Sequence, residues 1–271
     1  METLIDLLDS FREHGNKVAF VHRTGVRRFP MTYGQFYALS LKMNRWLADN
    51  RIEKGDRVLL WGPNSPWWAV AFWGIVARGA VAVPVDFMSD RERAESICSL
   101  TEAKLVIQSR FKLDLVTGLS SILMEDIEYL LPGLEPLSAI AQPDKRDIVQ
   151  LIYTSGTTGN PKGVILTHAN LVANLLQVNR HIPVITRGFN FLSLLPLSHM
   201  FEQMGGFFTP LYRGAAIVFL RTLKPSAIME ALSEEDIYAV IAVPRLLQLL
   251  KTSIERELEE KRLDTDGTDK E

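Results

Sequence analysis

Residues 57–86 read RVLLWGPNSPWWAVAFWGIVARGAVAVPVD. The stretch divides into three parts. "RVLLWG" is a short apolar run closed by Gly-Pro-Asn, the pattern of a strand entering a turn. "SPWWAVAFWGIVARG" opens with Ser65 and Pro66 and closes on Gly79, which predicts a helix with Ser65 as N-cap and Pro66 at its first position. "AVAVPV", residues 80–85, is a second strand. A strand, a helix and a strand that are apolar on nearly every side form a βαβ unit buried on both faces. A membrane span is the competing reading of residues 67–85. Arg78, Gly79 and Pro84 divide that run, and its apolar part is about a dozen residues against the roughly 20 that a span needs.

The alternation continues outward. "DRERAESICSLTEA" predicts a helix and "KLVIQS" a strand. Further on, "DIVQLIY" and "VILT" read as buried or half-buried strands, and "THANLVANLLQVNR" as a helix capped by Thr167. "NFLSLLPL", "AAIVFL" and "YAVIAV" read as strands. "KPSAIMEALSEEDI" is a helix on which Glu234 and Glu235 form a solvated face. Pro244 opens a last helix with Leu246, Leu250, Ile254 and Leu258 on one side, expected to pack on its own domain. The fold class is therefore α/β, with mostly parallel sheets covered by helices. No internal repeat is present.

Composition is that of an ordinary globular chain: 271 residues, 47% hydrophobic, 23% charged. A net charge of −2 supplies no bulk basic field for nucleic acid. One cysteine, Cys98, excludes an internal disulfide or a cysteine-based zinc site and fits a reducing compartment. The acidic start "METLIDLLDS" lacks the basic region of a secretory signal. His14, His22, His168 and His181 show no metal-ligand spacing.

Between the strands "DIVQLIY" and "VILT" lies "YTSGTTGNPKGV", residues 153–164. Glycine, serine, threonine, asparagine and proline are ordinary surface-loop residues. Here, however, the connection is longer than a hairpin needs. Gly156, Gly159 and Gly163 let backbone N–H groups approach a ligand, Thr154, Ser155, Thr157 and Thr158 supply hydroxyls, and Lys162 supplies a mobile positive charge. Nothing in the loop is acidic. These are the requirements of a polyphosphate site. A Walker loop would run Gly-Lys-Ser/Thr straight into a helix, and a dinucleotide G-x-G-x-x-G is absent from the chain.

The loop resembles, nearly residue for residue, the signature loop of the adenylate-forming (AMP-binding) superfamily: acyl-CoA synthetases, firefly-type luciferases and peptide-synthetase adenylation domains. "MTYGQFYALSLKMNRWLA", "KGDRVLLWGPNSPWWAVAFWGIVARGAVAVPVD" and "LPLSHMFE" resemble further family segments in the same order, over residues 1–250. "HMFE" is most similar to the long-chain fatty acid–CoA ligase branch. The resemblance implies that residues 1–262 are an incomplete N-terminal AMP-binding domain, followed by a polar tail at 263–271.

It also implies a chemistry. A fatty carboxylate attacks the α-phosphate of ATP, pyrophosphate leaves, and the thiol of coenzyme A displaces AMP. Lys162 is implied as catalytic, residues 154–159 with Lys162 and Gly163 as nucleotide-binding, and Thr154 as part of the Mg2+ environment. His199 is implied at the mouth of the acyl pocket. A histidine in an apolar run is ordinarily a packing residue; only its motif points to a role. "MGGFFTPLY" fits either a tunnel lining or plain core. Ser155 lies outside a G-x-S-x-G elbow, so a hydrolase lacks its nucleophile.

The expected location is cytoplasmic; peripheral membrane contact and a homodimer stay open. Superfamily members are about twice as long, and the acidic magnesium ligand, the adenine and ribose contacts and the C-terminal lysine would lie beyond Glu271, so this piece is expected to be inactive alone. Two alternatives remain: an adenylating ligase for another acid or acceptor (an aryl acid, a carrier protein), and a truncated non-catalytic nucleotide-binding module.

Overall fold

Period-two alternation in the strands sets the layering. In the computed structural model, which describes residues 1–112, 118–154, 162–182 and 189–268, β3 (Arg57–Trp61) sends Val58 and Leu60 into one apolar cluster and Leu59 and Trp61 into another. β4 (Val81–Val85) and β5 (Leu105–Gln108) split in the same way, Ala82, Leu105 and Ile107 facing the first cluster and Val83, Val85 and Val106 the second. These strands join β6 (Ser120–Leu123), β7 (Ile148–Thr154) and β8 (Lys162–Thr167) in a six-stranded sheet of order β6-β5-β3-β4-β7-β8. All its pairings are parallel except the edge pair β7–β8.

A second, five-stranded sheet has the order β11-β9-β10-β1-β2. It comprises β1 (Val18–Thr24), β2 (Arg27–Thr32), β9 (Asn190–Ser193), β10 (Ala216–Leu220) and β11 (Ile237–Val240). Its pairings too are parallel except at one edge, β1–β2. Phe20, Ile217 and Phe219 face the same first cluster as the other sheet. That shared core is filled by α1 (Leu4–His14), α2 (Tyr33–Asp49) and α3 (Pro66–Arg78), which lie between the sheets. α4 (Arg91–Thr101) covers the outer face of the six-stranded sheet through Ala94, Ile97 and Cys98. α9 (Pro225–Glu234) and α10 (Pro244–Thr268) cover the outer face of the other. The remaining helices are α5 (Ile127–Leu130), α6 (His168–His181), α7 (Met200–Glu202) and α8 (Thr209–Arg213), with a π-helical stretch Gln203–Phe208 joining the last two.

The expected strand–helix–strand of residues 57–86 is present, with the Ser65 hydroxyl accepting from Trp68 N–H and Gly79 in the left-handed conformation closing the helix. α3 is apolar on every side because both sheets and α2 surround it. Trp68 stacks on Phe72, and Trp73 meets Phe11 and Phe208 edge-on. Gly74 is needed for a close approach: a Cβ there would collide with Cβ and Cγ of Met43 on α2 and lie 3.3 Å from Asn44 N. Met43 Cβ is tied to its backbone and cannot swing away. Overpacking of this kind outweighs the helix-propensity gain of replacing glycine, so Gly74→Ala is expected to cost about 2 kcal/mol net. A urea-unfolding midpoint equal to the parent's would refute the constraint.

Three expectations change. Val164 and Ile165 of "VILT" are 44% and 59% exposed, because β8 is the sheet edge with a single neighbour. "NFLSLLPL" stays in the sheet only to Ser193; beyond it, Asn64 takes over the backbone, donating to Leu195 O and accepting from Leu197 N–H. Glu235 is not solvated. Its carboxylate is fully buried and bridges Arg23 and Arg28, while Arg23, itself buried, also holds Glu230 and the half-exposed Glu234. A buried guanidinium needs that many acceptors, since an unpaired buried charge is strongly destabilising. Among the described residues no helix is long and apolar enough to cross a membrane.

Candidate active site

Parallel α/β sheets place ligands outside the carboxyl ends of their strands. In the six-stranded sheet that edge is formed by Val85 ending β4, by Asp86 just after it, and by Tyr153 and Thr154 ending β7. β8 runs antiparallel to β7 with Thr154 opposite Lys162 and Tyr153 opposite Gly163. The first residue of β8 therefore brings the Lys162 ammonium to this same end. Gly163 meets a spatial requirement: a Cβ there would lie 3.0 Å from Tyr153 Cζ. Ser155, Gly156, Thr157, Thr158 and Gly159 lie outside the described residues, and Thr154 is described at its backbone, so the metal role assigned to it is not placed.

A cleft of about 390 Å³ opens here, lined by Asp86, Ser89, Arg93, Tyr153, Ser198 and His199. His199 comes from the other sheet, on the segment that leaves β9 and begins α7. Its ring is exposed, and Nε2 lies 3.1 Å from Asp86 Oδ2. The Asp86 carboxyl is held below the usual carboxylate range, first by the His199 hydrogen bond, then by Met88 N–H and the Arg93 charge, against the opposing effect of burial. Burial pushes the Tyr153 hydroxyl up.

The segment carrying His199 is clamped from three sides. Asn64 donates to Ser193 Oγ as well as Leu195 O. Gln150, wholly buried on β7, donates to Gln203 Oε1 at 2.8 Å, and Gln203 donates in turn to Leu197 O. Glu202 is buried, its Oε1 accepting from Ser193 Oγ at 2.9 Å. Desolvation pushes its carboxyl up to about 8, partly offset by that hydroxyl and by backbone N–H groups of Leu194 and Leu195. Gly206 makes room for it, since a Cβ there would lie 2.6 Å from Glu202 Oε1. None of these positioning residues stands out in the sequence. Asn64, Gln150 and Glu202 become legible only when strands distant in the chain meet.

Directly beyond His199 the chain lines a second hollow, an apolar groove of about 770 Å³ between β8, α6 and the helix after His199. Ile165, Leu171, Met200, Phe201, Met204 and Ile241 form its walls. Gly205 keeps it open, with Ile241 Cδ1 2.8 Å from where a Cβ would stand. "MGGFFTPLY" thus divides: Met204 and Gly205 face the groove, while Phe207 and Phe208 belong to the core between the sheets. No group of three His, Cys, Asp or Glu converges as a metal cluster among the described residues, and no magnesium position is derived from them.

Comparison with known proteins gives this arrangement its class. Residues 7–269 match the family described as AMP-binding enzyme, and the chain belongs to that family of adenylate-forming ligases. It is similar to the long-chain-fatty-acid–[acyl-carrier-protein] ligase AEE15 of Arabidopsis thaliana, 28% identical over 236 residues, covering 73% of this chain and 32% of that protein. It is likewise similar to a feruloyl-CoA synthase of Amycolatopsis, 27% identical over 237 residues, covering 84% of this chain and 47% of that protein. Among solved structures, the N-terminal domain of FACL13 from Mycobacterium tuberculosis superposes with a TM-score of 0.84 at 25% identity, covering 93% of this chain and 65% of that one. The chain spans less than half the length of these two curated relatives.

Proposed function

We propose that this chain forms the acid- and triphosphate-binding part of an AMP-forming ligase that activates a long-chain fatty acid and passes it to coenzyme A. The observation that carries the choice of acid is the groove: about 770 Å³, apolar-walled, beginning at the residue after His199. An alkyl chain laid there is removed from water, while its carboxylate reaches the cleft that His199 shares with Tyr153.

In the first step a carboxylate oxygen attacks the α-phosphorus of ATP, and the bond to the bridging oxygen of pyrophosphate breaks. In the second, the thiol sulfur attacks the acyl carbon, AMP leaves with the electron pair of the broken acyl–oxygen bond, and the thiol proton passes to solvent. A carboxylate approaching a polyanion is repelled, so fixed positive charge and oriented donors dominate the first barrier. Lys162 and the loop hydroxyls are the groups assigned to the β- and γ-phosphates. Magnesium, when bound, would supply further charge neutralisation on the phosphate oxygens. A fatty acid is the partner this reading requires, met in the cytoplasm or at a membrane surface.

The test is ATP–pyrophosphate exchange by the intact polypeptide over a panel of acids. Exchange is expected to favour long-chain fatty acids over ferulate by at least about tenfold in kcat/KM. Exchange with aromatic acids and none with fatty acids would replace this reading by an aryl ligase. Transfer of the adenylate to a carrier protein but not to coenzyme A would replace the acceptor.

A further inference from the structure

We propose that Asp86 is a positioning residue for His199: from the end of β4 its carboxylate accepts the Nε2 proton of the imidazole, fixing the ring and leaving Nδ1 as its acceptor. The inference rests on the reading above, in which His199 stands where the acid's carboxylate reacts.

The two residues are 113 positions apart and arrive from different sheets, yet Nε2 and Oδ2 lie 3.1 Å apart. The His199 ring is 57% exposed and would rotate freely without a partner. Asp86, by contrast, is built in. Its Oδ1 accepts from Met88 N–H at 2.8 Å, and its backbone carbonyl accepts from Trp61 Nε1–H at 3.1 Å. Lys112 then holds the turn down: its ammonium sits over the rings of Trp61 and Phe87 and donates to Ser89 O.

On the other side, His199 N–H donates to Pro196 O and its carbonyl accepts from Gln203 N–H, both at 3.0 Å. Both backbones are therefore fixed, and a single hydrogen bond decides which way the imidazole faces. A ring nitrogen tied to a carboxylate has its proton assigned, and the other nitrogen its role. The pair also spans the gap between the two sheets, so the cleft wall formed by Asp86 and Tyr153 and the groove that starts at Met200 share one registration point. Arg93 is the other charged side chain lining this cleft among the described residues.

The experiment is long-range 1H–15N spectroscopy of the ring nitrogens in the 15N-histidine-labelled chain, with His199→Asn assigning the signals. In neutral imidazole the parent is expected to show a protonated Nε2 and an unprotonated Nδ1 for His199. Asp86→Ala is expected to move both toward tautomer-averaged positions while the four other histidines stay in place. In the intact polypeptide the same substitution is expected to lower kcat for adenylate formation about tenfold with KM for the acid little changed. An unchanged His199 spectrum, or an altered spectrum with unchanged kcat, overturns the proposal. Should the parent show no pyrophosphate exchange with any acid, the functional reading fails instead, and the spectra alone decide whether Asp86 sets the ring.

Discussion

Lys162→Ala is expected to slow pyrophosphate exchange by about 10²–10³-fold while leaving the apparent affinity for the acid nearly unchanged. The size follows from the role proposed for the side chain in the first step. Negative charge accumulates as the carboxylate closes on the triphosphate, and an ammonium group at the leaving pyrophosphate is worth more there than in the ground state. The asymmetry follows from position. Lys162 is exposed at the start of β8, opposite Thr154, at the carboxyl end of the sheet. The groove proposed for the acid is walled by later residues of the same strand and by α6, so losing the lysine head removes charge without removing a wall. Lys162→Arg keeps the charge in a broader, planar head and is expected to recover part of the rate. Exchange at the parental rate in Lys162→Ala would remove the lysine from the mechanism.

Such a prediction was available from residues 153–164 alone; much of the machinery around it was not. The layered architecture was legible because its signals are local: Ser65-Pro66 before an apolar helix, Gly79 after it, and buried strands of five residues on either side. What the sequence concealed depends on partners far along the chain. Glu235 looks like half of a solvated pair until β1 brings Arg23 and β2 brings Arg28 against it. Asn64 sits in an unremarkable Gly-Pro-Asn-Ser turn, yet it ends β9 by capturing two backbone groups 131 and 133 residues away. Asp86 is the same kind of case: a turn residue in sequence, a histidine partner in space. A periodicity argument finds which face is apolar. It carries no information about which polar side chain will meet which backbone group across two sheets.

His168 shows how such a concealed contact becomes a measurable property, since acidification from above pH 6.5 to about 4 is expected to cost the fold up to about 3 kcal/mol through this residue alone. The ring is 2% exposed at the first position of α6. Its Nδ1 accepts from Leu4 N–H at 3.1 Å, tying α6 to the start of α1. Burial lowers its titration from the ordinary 6.5 to about 4, with Asp147 and Asp6 pulling the other way and Lys54 adding to the burial effect. The unfolded chain therefore takes up a proton near pH 6.5 that the folded chain refuses until near pH 4. Stabilisation is complete above 6.5 and is lost as pH falls through that window. Glu202 acts with opposite sign: its carboxyl is raised from 4.5 to about 8, so its contribution is complete below 4.5 and is lost as pH rises toward 8. The two slopes oppose each other between pH 4.5 and 6.5, so within that range the parental stability profile by itself does not separate them. His168→Asn separates them, because an amide oxygen can still accept from Leu4 N–H but the side chain does not titrate. Urea-unfolding free energies of the two proteins, measured from pH 7.5 down to 4.5, are expected to change relative to each other on acidification, the parent losing about 2–3 kcal/mol more than the variant because only its side chain must stay uncharged to remain buried. Curves that stay parallel over that range would show that the imidazole is not held neutral in the fold.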